Sequence, residues 1–152
     1  MWEAIIEGDR ELFLWLNGLG QPAWDGFWLF LSDKWSAIPL YALLLFWVFR
    51  KFGWKDSLML LVFIALLITC CDQLANFFKY GAERLRPCHD PGLSEAVRLV
   101  KPSCGGRYGY FSAHAANTFG LATFFRVLWG RPGRIWGTLL LLWAVLVGYS
   151  RI

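Results

Sequence analysis

The sequence predicts an all-α membrane protein, a polytopic helical bundle that forms a single domain over residues 1–152. Hydrophobic residues make up 57% of the 152 residues and charged residues only 17%. A soluble domain of this size usually carries more charge than that. Four apolar stretches are candidate spans: Ala37–Phe49, Leu58–Phe78, Ala115–Trp129 and Ile135–Ile152. A buried soluble bundle is the alternative, but it would leave too little polar surface on so short a chain.

Two of these stretches are long enough to cross a bilayer without much help from their flanks. A spanning helix needs about 20 predominantly apolar residues, a length that Leu58–Phe78 and Ile135–Ile152 approach. The other two stretches are shorter and would use flanking residues or tilt. We therefore expect four spans, with residues 79–112 as a long loop between the second and the third.

The N-terminal segment, residues 1–35, differs from both a span and a signal peptide. It begins with acidic and apolar residues at helical spacing, whereas a signal peptide begins with basic residues followed by an apolar run. This pattern predicts an amphipathic helix that lies in the membrane interface. Asn17-Gly18 and Gly20-Gln21-Pro22 then interrupt that helix.

The distribution of charge predicts the side of the membrane on which each connection lies. The turns after the first and third spans are basic, which favours the cytoplasmic side; their cations are Arg50, Lys51, Lys55, Arg126, Arg131 and Arg134. Residues 1–35 hold six acids against two bases and are expected outside, together with loop 79–112. That loop holds six bases against three acids, so either the topology is inverted or its cations have a task that outweighs the orientation rule. We favour the second alternative, because an inverted topology would put the acidic N-terminus inside. We expect a multi-pass protein of the cell membrane with an extracytoplasmic site.

Two short motifs at the ends of this loop carry residues suited to binding an anion. The stretch "KYGAERLRP" places Lys79 at the end of the second span and Arg86 directly before Pro87, which ends helical structure. The stretch "FSAHAAN" places Ser112 and His114 at the start of the third span. A serine there can cap the helix, exposed backbone N–H groups attract an anion, and an imidazole exchanges protons near neutral pH. A basic cluster at a membrane surface is otherwise typical of attraction to anionic head groups.

These residues resemble the motifs of the type-2 phosphatidic acid phosphatases, a superfamily of membrane lipid phosphatases. The first motif of that family is Lys, six residues, Arg-Pro, and Lys79, Arg86 and Pro87 match it in full. The second motif is Pro-Ser-Gly-His, to which residues 111–114, Phe-Ser-Ala-His, correspond with two substitutions. The third motif is Ser-Arg, five residues, His, three residues, Asp, and Ser150 and Arg151 would begin it. The resemblance covers the chain from about Asp72 onward.

The resemblance implies dephosphorylation of a lipid without a metal or another cofactor. The phosphate-binding set would be Lys79, Arg86, Ser112, Ala113 and Arg151, with Ala113 contributing its backbone N–H. His114 would protonate the leaving oxygen, and the third-motif histidine would attack phosphorus to form a phosphohistidine. Fixed cations make physical sense in this role, because phosphoryl transfer depends mainly on positioning and on neutralising the equatorial oxygens.

The attacking histidine has no counterpart within residues 1–152. His89 is the only histidine besides His114, and a loop residue after Pro87-Cys88 is more typical of a solvated side chain than of a nucleophile. We therefore expect the chain to lack the last span of the family fold and, as given, to bind phosphate esters with little turnover. Candidate substrates are a polyprenyl diphosphate such as undecaprenyl diphosphate, slightly favoured, phosphatidic acid and phosphatidylglycerol phosphate.

Two other classes of function stay open at this stage. The first is a catalytically inactive membrane protein that binds anionic lipid head groups, which the absent third-motif residues favour. The second is a transporter or channel, which is weaker because the basic residues lie outside the spans. The sequence contains no dinucleotide, phosphate-loop or metal-ligand motif and indicates no nucleic-acid partner. It does not indicate an oligomeric state.

The four cysteines and one intramembrane acid are expected to have structural roles. Cys70 and Cys71 lie within the second span and pack there. Cys88 and Cys104 lie in the loop that we place outside, where oxidation is possible, and we predict a disulfide between them. That bridge would hold Arg86 near the second motif. Asp72, close to the end of the second span, is expected to bond to a neighbouring helix rather than to join the site.

Overall fold

The computed structural model describes residues 2–33, 35–101 and 103–152, with side chains from residue 4 onward. These residues form five α-helices: α1 (Trp2–Gly18), α2 (Asp25–Ser32), α3 (Ile38–Ala82), α4 (Ala113–Trp129) and α5 (Arg134–Tyr149). Two 3₁₀ turns, Pro22–Trp24 and Pro87–His89, lie in the connections. Within the described ranges there is no β-strand, only a single antiparallel bridge between Leu85 and Tyr108. The all-α fold class is therefore confirmed.

Helix α3 bends sharply at Gly53. This residue has φ 74° and ψ −178°, a conformation that residues with a Cβ rarely adopt. Tyr41 and Ile68 line one cavity, although a straight helix would separate them by about 40 Å. The two halves of α3 therefore fold back beside each other. The sequence predicted two spans joined by a basic turn at residues 50–56, whereas the structure continues the helix through this region and interrupts it at one glycine.

One helix within the described residues, α3, is long and apolar enough to cross a membrane. Only 6% of its most apolar 18-residue window is buried inside the protein, so its apolar side chains face outward. Helix α5 is apolar but shorter, with 16 residues. By length and composition the structure thus supports one span, and the predicted count of four stays a prediction.

Helices α3, α4 and α5 pack around one hydrophobic core. The buried members of this core are Leu44, Val48, Leu121, Ala122, Phe125, Leu140 and Ala144. Phe125 of α4 and Ala144 of α5 are almost fully enclosed, with 2% and 0% of their surface exposed. The core lies along the helices, and it brings the C-terminal ends of α3 and α5 together with the N-terminal end of α4. We call this end of the bundle the site end.

The N-terminal helices cover the site end. Helix α1 forms where the amphipathic pattern predicted it and ends at Gly18, within the predicted break at Asn17-Gly18. Its Ile5, Leu12 and Trp15 are exposed, as an interfacial helix requires, although its position relative to a membrane stays a prediction. The opposite face of α1 pairs with the loop that follows α3, since Arg10 lies 2.9 Å from Asp90. Helix α2 was not predicted as a separate element.

Candidate active site

A large cavity of about 780 Å³ opens at the site end. Its lining includes every residue that the motifs singled out for phosphate binding or proton transfer: Lys79, Arg86, Ser112, Ala113, His114 and Arg151. These residues come from the end of α3, the loop after it, the start of α4 and the turn after α5. The structure therefore brings the three sequence motifs to one place, as their shared chemistry predicts.

Arg86 is fixed by the backbone of residues 104–109. Its Nε donates to the Tyr108 carbonyl at 3.2 Å and its Nη1 donates to the Cys104 carbonyl at 2.9 Å. Its backbone N–H donates to the Arg107 carbonyl at 3.0 Å. Because a guanidinium carries five N–H donors, several remain available for an anion in the cavity. Arg86 is thus held in place while most of its hydrogen-bonding capacity stays unused.

Glycine at position 109 is needed for this arrangement. A Cβ on Gly109 would lie 2.8 Å from Arg86 Cγ, closer than real Cβ contacts come. Lys79 lies near the same loop, since a Cβ on Gly106 would lie 3.7 Å from its Nζ atom. The glycine-rich stretch after Cys104 therefore lets the loop backbone approach both cations.

A disulfide joins Cys88 and Cys104, whose Cα atoms are 6.3 Å apart. The bridge fixes the residue whose carbonyl accepts the hydrogen bond from Arg86 Nη1. The donor atoms of Cys88, His89 and Cys104 lie within 4.8 Å of one another, a spacing that a metal ion could use. With the two sulfurs bonded to each other, neither is a free thiolate ligand. His89 is exposed and does not line the cavity.

The N-terminus of α4 presents a capped helix end to the cavity. Ser112 is the N-cap, and its Oγ accepts a hydrogen bond from the backbone N–H of Ala115 at 3.3 Å. The hydroxyl can still donate its own proton, because it accepts and donates through different positions. The backbone N–H groups of Ala113 and His114 have no acceptor within the helix. Together with the helix dipole, they favour an anion at this end.

His114 is half-buried at the first turn of α4, ahead of Ala115, where the predicted third span begins. Burial lowers the pKa of His114, and the positive charge of Arg151 lowers it further. Asp72 acts in the opposite direction, and Lys101 adds a smaller lowering effect. In the empty cavity the imidazole is therefore biased toward its neutral form. A bound dianion would reverse the effect of the neighbouring cations and favour the protonated form.

The three cations of the sequence motifs have no acidic partner within the described residues, whereas three other cations around the cavity do. Around the cavity Arg10 pairs with Asp90, Arg84 with Asp9, and Arg98 with Asp25. Within the described residues, Lys79, Arg86 and Arg151 belong to no ion pair. Unpaired like charges that line one cavity form a site for an anion.

Asp72 has the structural role that was expected of it. Its Oδ1 accepts a 2.8 Å hydrogen bond from Asn117 Nδ2, which links α3 to α4 below His114. The lining of the cavity also includes three residues that no sequence motif indicated, namely Asn17, Arg98 and Tyr149. In the sequence, Asn17 belongs to an Asn-Gly pair. Such a pair predicts the end of a helix, but it does not predict a hydrogen bond to a residue far away in the chain. A basic loop also gives no indication of which of its cations are neutralised.

Comparison with known proteins gives three findings. The family model of the PAP2 superfamily matches residues 57–152. A protein of Porphyromonas gingivalis named Lipid A 4'-phosphatase is 37% identical over 153 residues, which cover 99% of this chain and 63% of the relative. A protein of Bacteroides thetaiotaomicron with the same name is 36% identical over 154 residues, which cover 100% of this chain and 68% of the relative. The chain thus spans about two thirds of the length of these curated relatives. No solved structure matches it significantly.

Proposed function

This chain belongs to the PAP2 superfamily, which confirms the resemblance drawn from its motifs, and on that premise we propose that it is part of a lipid phosphate phosphatase. The observation that carries the proposal is the cavity at the site end, where Lys79, Arg86 and Arg151, which have no acidic partner within the described residues, line the same space as His114. A phosphate monoester would supply the missing negative charge. The same group needs a proton donor for its leaving oxygen, and His114 is suited to that task.

Phosphate binding would use different donors for different oxygens. The guanidinium groups of Arg86 and Arg151 can each donate in a bidentate manner, and Lys79 would add a point charge. Ser112 Oγ and the first N–H groups of α4 would bind the side of the phosphate that faces the helix. These positive groups would neutralise the charge that spreads over the equatorial oxygens in the transition state. For this reason we propose that no metal ion takes part.

The reaction we propose proceeds in two displacements. A histidine nitrogen attacks phosphorus, the bond from phosphorus to the lipid oxygen breaks, and His114 gives its proton to that oxygen. Water then attacks the phosphohistidine, with His114 accepting a proton, and free phosphate leaves. The negative charge of bound phosphate would raise the pKa of His114, so His114 would become protonated once the substrate has bound.

The attacking histidine would come from the third motif. Ser150 and Arg151 match its first two residues, and the family pattern places the histidine and aspartate beyond residue 152. Neither histidine of residues 1–152 suits the role of nucleophile, since His114 is the proposed proton donor and His89 does not line the cavity. Turnover is therefore expected only from a chain that includes the complete third motif. Residues 1–152 alone are expected to bind phosphate.

A second cavity supports a lipid as the substrate. It measures about 350 Å³, lies between the two halves of α3 and helix α4, and has an almost entirely apolar lining. His114 borders this cavity as well as the larger one that holds the cations. A lipid phosphate could place a hydrocarbon chain in the apolar cavity and its phosphate among the cations. The scissile oxygen would then lie between them, beside His114.

Among lipid phosphates, we propose a phosphorylated glycolipid such as the 4'-phosphate of lipid A. The two relatives reported above are named for that substrate. The larger cavity, of about 780 Å³, also exceeds by far the volume that one phosphate group requires, and it could hold sugar rings. This differs from the sequence-based preference for a polyprenyl diphosphate, which no comparison supports specifically. We further propose that the protein spans the cell membrane several times with this cavity on the extracytoplasmic side.

A substrate panel tests the proposal. A chain that includes the complete third motif, in detergent, would be given lipid A, phosphatidic acid and undecaprenyl diphosphate, and released phosphate would be measured. We expect release mainly from lipid A, its loss in the variant His114→Ala, and no effect of EDTA. Binding of lipid A without any release would instead support the second candidate function, a non-catalytic protein that binds anionic head groups. One observation favours that alternative. The residues proposed to bind the anion all lie within residues 1–152, and binding without hydrolysis needs no nucleophile.

A further inference from the structure

The turn that carries Arg151 is hydrogen-bonded to the N-terminal segment of the chain. Three side chains make these bonds, and each uses a backbone carbonyl as its acceptor. The bonds run from Tyr149 Oη to the Leu16 carbonyl (3.1 Å), from Ser32 Oγ to the Ser150 carbonyl (3.0 Å) and from Asn17 Nδ2 to the Ile152 carbonyl (2.8 Å). Residues on both sides of Arg151 are therefore anchored to α1 and α2.

Asn17 also binds the loop between α3 and α4. Its Oδ1 accepts from the backbone N–H of Arg98 at 2.8 Å, and its Nδ2 donates to the Arg98 carbonyl at 3.1 Å. The amide oxygen faces an N–H group and the amide nitrogen faces two carbonyls, so the orientation of the amide is set by its partners. One side chain thus joins α1, the loop at Arg98 and the residue that follows Arg151.

Ser32 provides an anchor of a different kind. It is 8% exposed, near the end of α2, and its hydroxyl reaches the carbonyl of the residue that precedes Arg151. Arg98 strengthens the same connection, because its Nη2 donates to Asp25 Oδ2 of α2 at 2.7 Å. Helix α2 is therefore held against both the loop and the turn after α5.

Arg151 needs such anchoring because nothing else in the site compensates its charge. It lines the cavity with Arg86, a charge of the same sign, and within the described residues it forms no ion pair. On a turn that is not anchored, the long Arg151 side chain would move away from the like charge of Arg86. Binding an anion would then require this side chain to be ordered again, and that cost would lower the affinity. Fixing the backbone beforehand removes part of that cost.

We propose that Asn17 and Ser32 are positioning residues for phosphate binding, because they hold the backbone on either side of Arg151 at the cavity. This inference rests on the proposed function, since it assigns the phosphate to Arg151. Both residues precede residue 57, where the match to the PAP2 superfamily begins. The N-terminal helices therefore contribute to the site itself in addition to their proposed contact with the membrane interface.

The test measures the dissociation constant for inorganic phosphate by ³¹P NMR titration of residues 1–152 in detergent. Asn17→Ala should weaken binding about tenfold and Ser32→Ala about threefold, in line with the loss of one or more hydrogen bonds. Gln21→Ala and Ser36→Ala are the matched controls and should change nothing. Within the described residues the Gln21 side chain makes no hydrogen bond, and the Ser36 hydroxyl bonds only locally, to the Asp33 carbonyl at 2.8 Å.

Double variants separate positioning from a general loss of structure. If Asn17 acts through Arg151, the variant Asn17→Ala/Arg151→Ala should bind phosphate as Arg151→Ala does. A further loss in the double variant would mean that Asn17 acts by another route and would overturn the inference. If Asn17→Ala does not fold, Ser32→Ala and its double variant with Arg151→Ala make the same comparison.

The outcomes also separate this inference from the proposed function. If Arg151→Ala binds phosphate as tightly as the unchanged chain, the proposed phosphate site is wrong and the inference falls with it. If Arg151→Ala weakens binding but Asn17→Ala and Ser32→Ala do not, only the inference is overturned. Weaker binding in all three single variants, with no further loss in the double variants, is the result that the inference predicts.

Discussion

The guanidinium of Arg86 donates a 2.9 Å hydrogen bond to the carbonyl of Cys104, and Cys104 is in turn bonded to Cys88, two residues after Arg86. The cation, its acceptor and the disulfide therefore form one small closed unit at the edge of the cavity. This unit explains how a loop of irregular structure can hold a charged side chain in a fixed position. If Arg86 binds phosphate as proposed, binding should depend on the oxidation state of the two cysteines.

Reduction of the disulfide should weaken phosphate binding. Without the bridge the Cys104 carbonyl is free to move away from Arg86 Nη1, and we expect a loss of about threefold in affinity, the size of one modest hydrogen bond. The measurement is a phosphate titration with and without dithiothreitol, with free thiols counted by mass spectrometry after alkylation. The variant Cys88→Ser/Cys104→Ser should bind weakly in both conditions. Unchanged affinity in a sample with fully reduced thiols would contradict this prediction.

Gly109→Ala should displace Arg86. The added Cβ would lie 2.8 Å from Arg86 Cγ, and this carbon is too close to the backbone to move without shifting the whole side chain. We expect phosphate affinity to fall about tenfold, comparable with the loss of a charge-assisted hydrogen bond. Gly81→Ala is the control, because a Cβ there would meet no atom within 4 Å. Equal affinities for the two variants would mean that the loop does not position Arg86.

The pKa of His114 should rise when Arg151 is replaced by alanine. Burial is the main cause of its lowered pKa, and the charge of Arg151 is the second cause, so removing that charge removes a penalty on the imidazolium form. Inorganic phosphate should also raise the pKa of His114 in the unchanged chain, because it adds negative charge. NMR titration of the two histidine side chains measures both effects, with His89 as the reference outside the cavity. A pKa that falls in either experiment would contradict the geometry described here.

Gly53→Ala should destabilise the protein. A residue with a Cβ is strained at φ 74° and ψ −178°, at a cost of about 1–3 kcal/mol. We expect a lower melting temperature in detergent, accompanied by weaker packing between the two halves of α3. The control is Gly8→Ala in α1, where a Cβ meets no atom within 4 Å and alanine suits a helix better than glycine. An equal melting temperature for both variants would show that the bend tolerates a side chain.

The sequence predicted the later helices more accurately than the helices in the first half of the chain. The predicted span Ala115–Trp129 differs by two residues from α4, and Ile135–Ile152 starts one residue after α5 begins, because long apolar runs with clear ends determine both. The site residues could be recognised because each motif combines a cation or imidazole with a fixed spacing and a helix end. Such local patterns are visible in one sequence.

The remaining features depend on contacts that leave no local pattern. The bend of α3 needs only one glycine, whereas the charges of residues 50–56 predicted a basic turn between two separate helices. The bond from Asn17 to Ile152 crosses 135 positions of the chain, and the pairing of Arg98 with Asp25 crosses 73. Arg86 and Arg98 lie in the same basic loop, and the sequence does not show which of them has an acidic partner. Only the structure divides these cations into paired and unpaired ones.

The central claim is that Lys79, Arg86 and Arg151 together bind phosphate, and the most direct measurement is the dissociation constant for inorganic phosphate in single alanine variants. Arg86→Ala and Arg151→Ala should each weaken binding by about tenfold or more, as expected for the loss of charge-assisted bonds. Arg84→Ala, in the same loop but paired with Asp9, should change it by less than about twofold. Equal losses in all three variants, or none in Arg86→Ala and Arg151→Ala, would contradict the assignment of this cavity as the phosphate site.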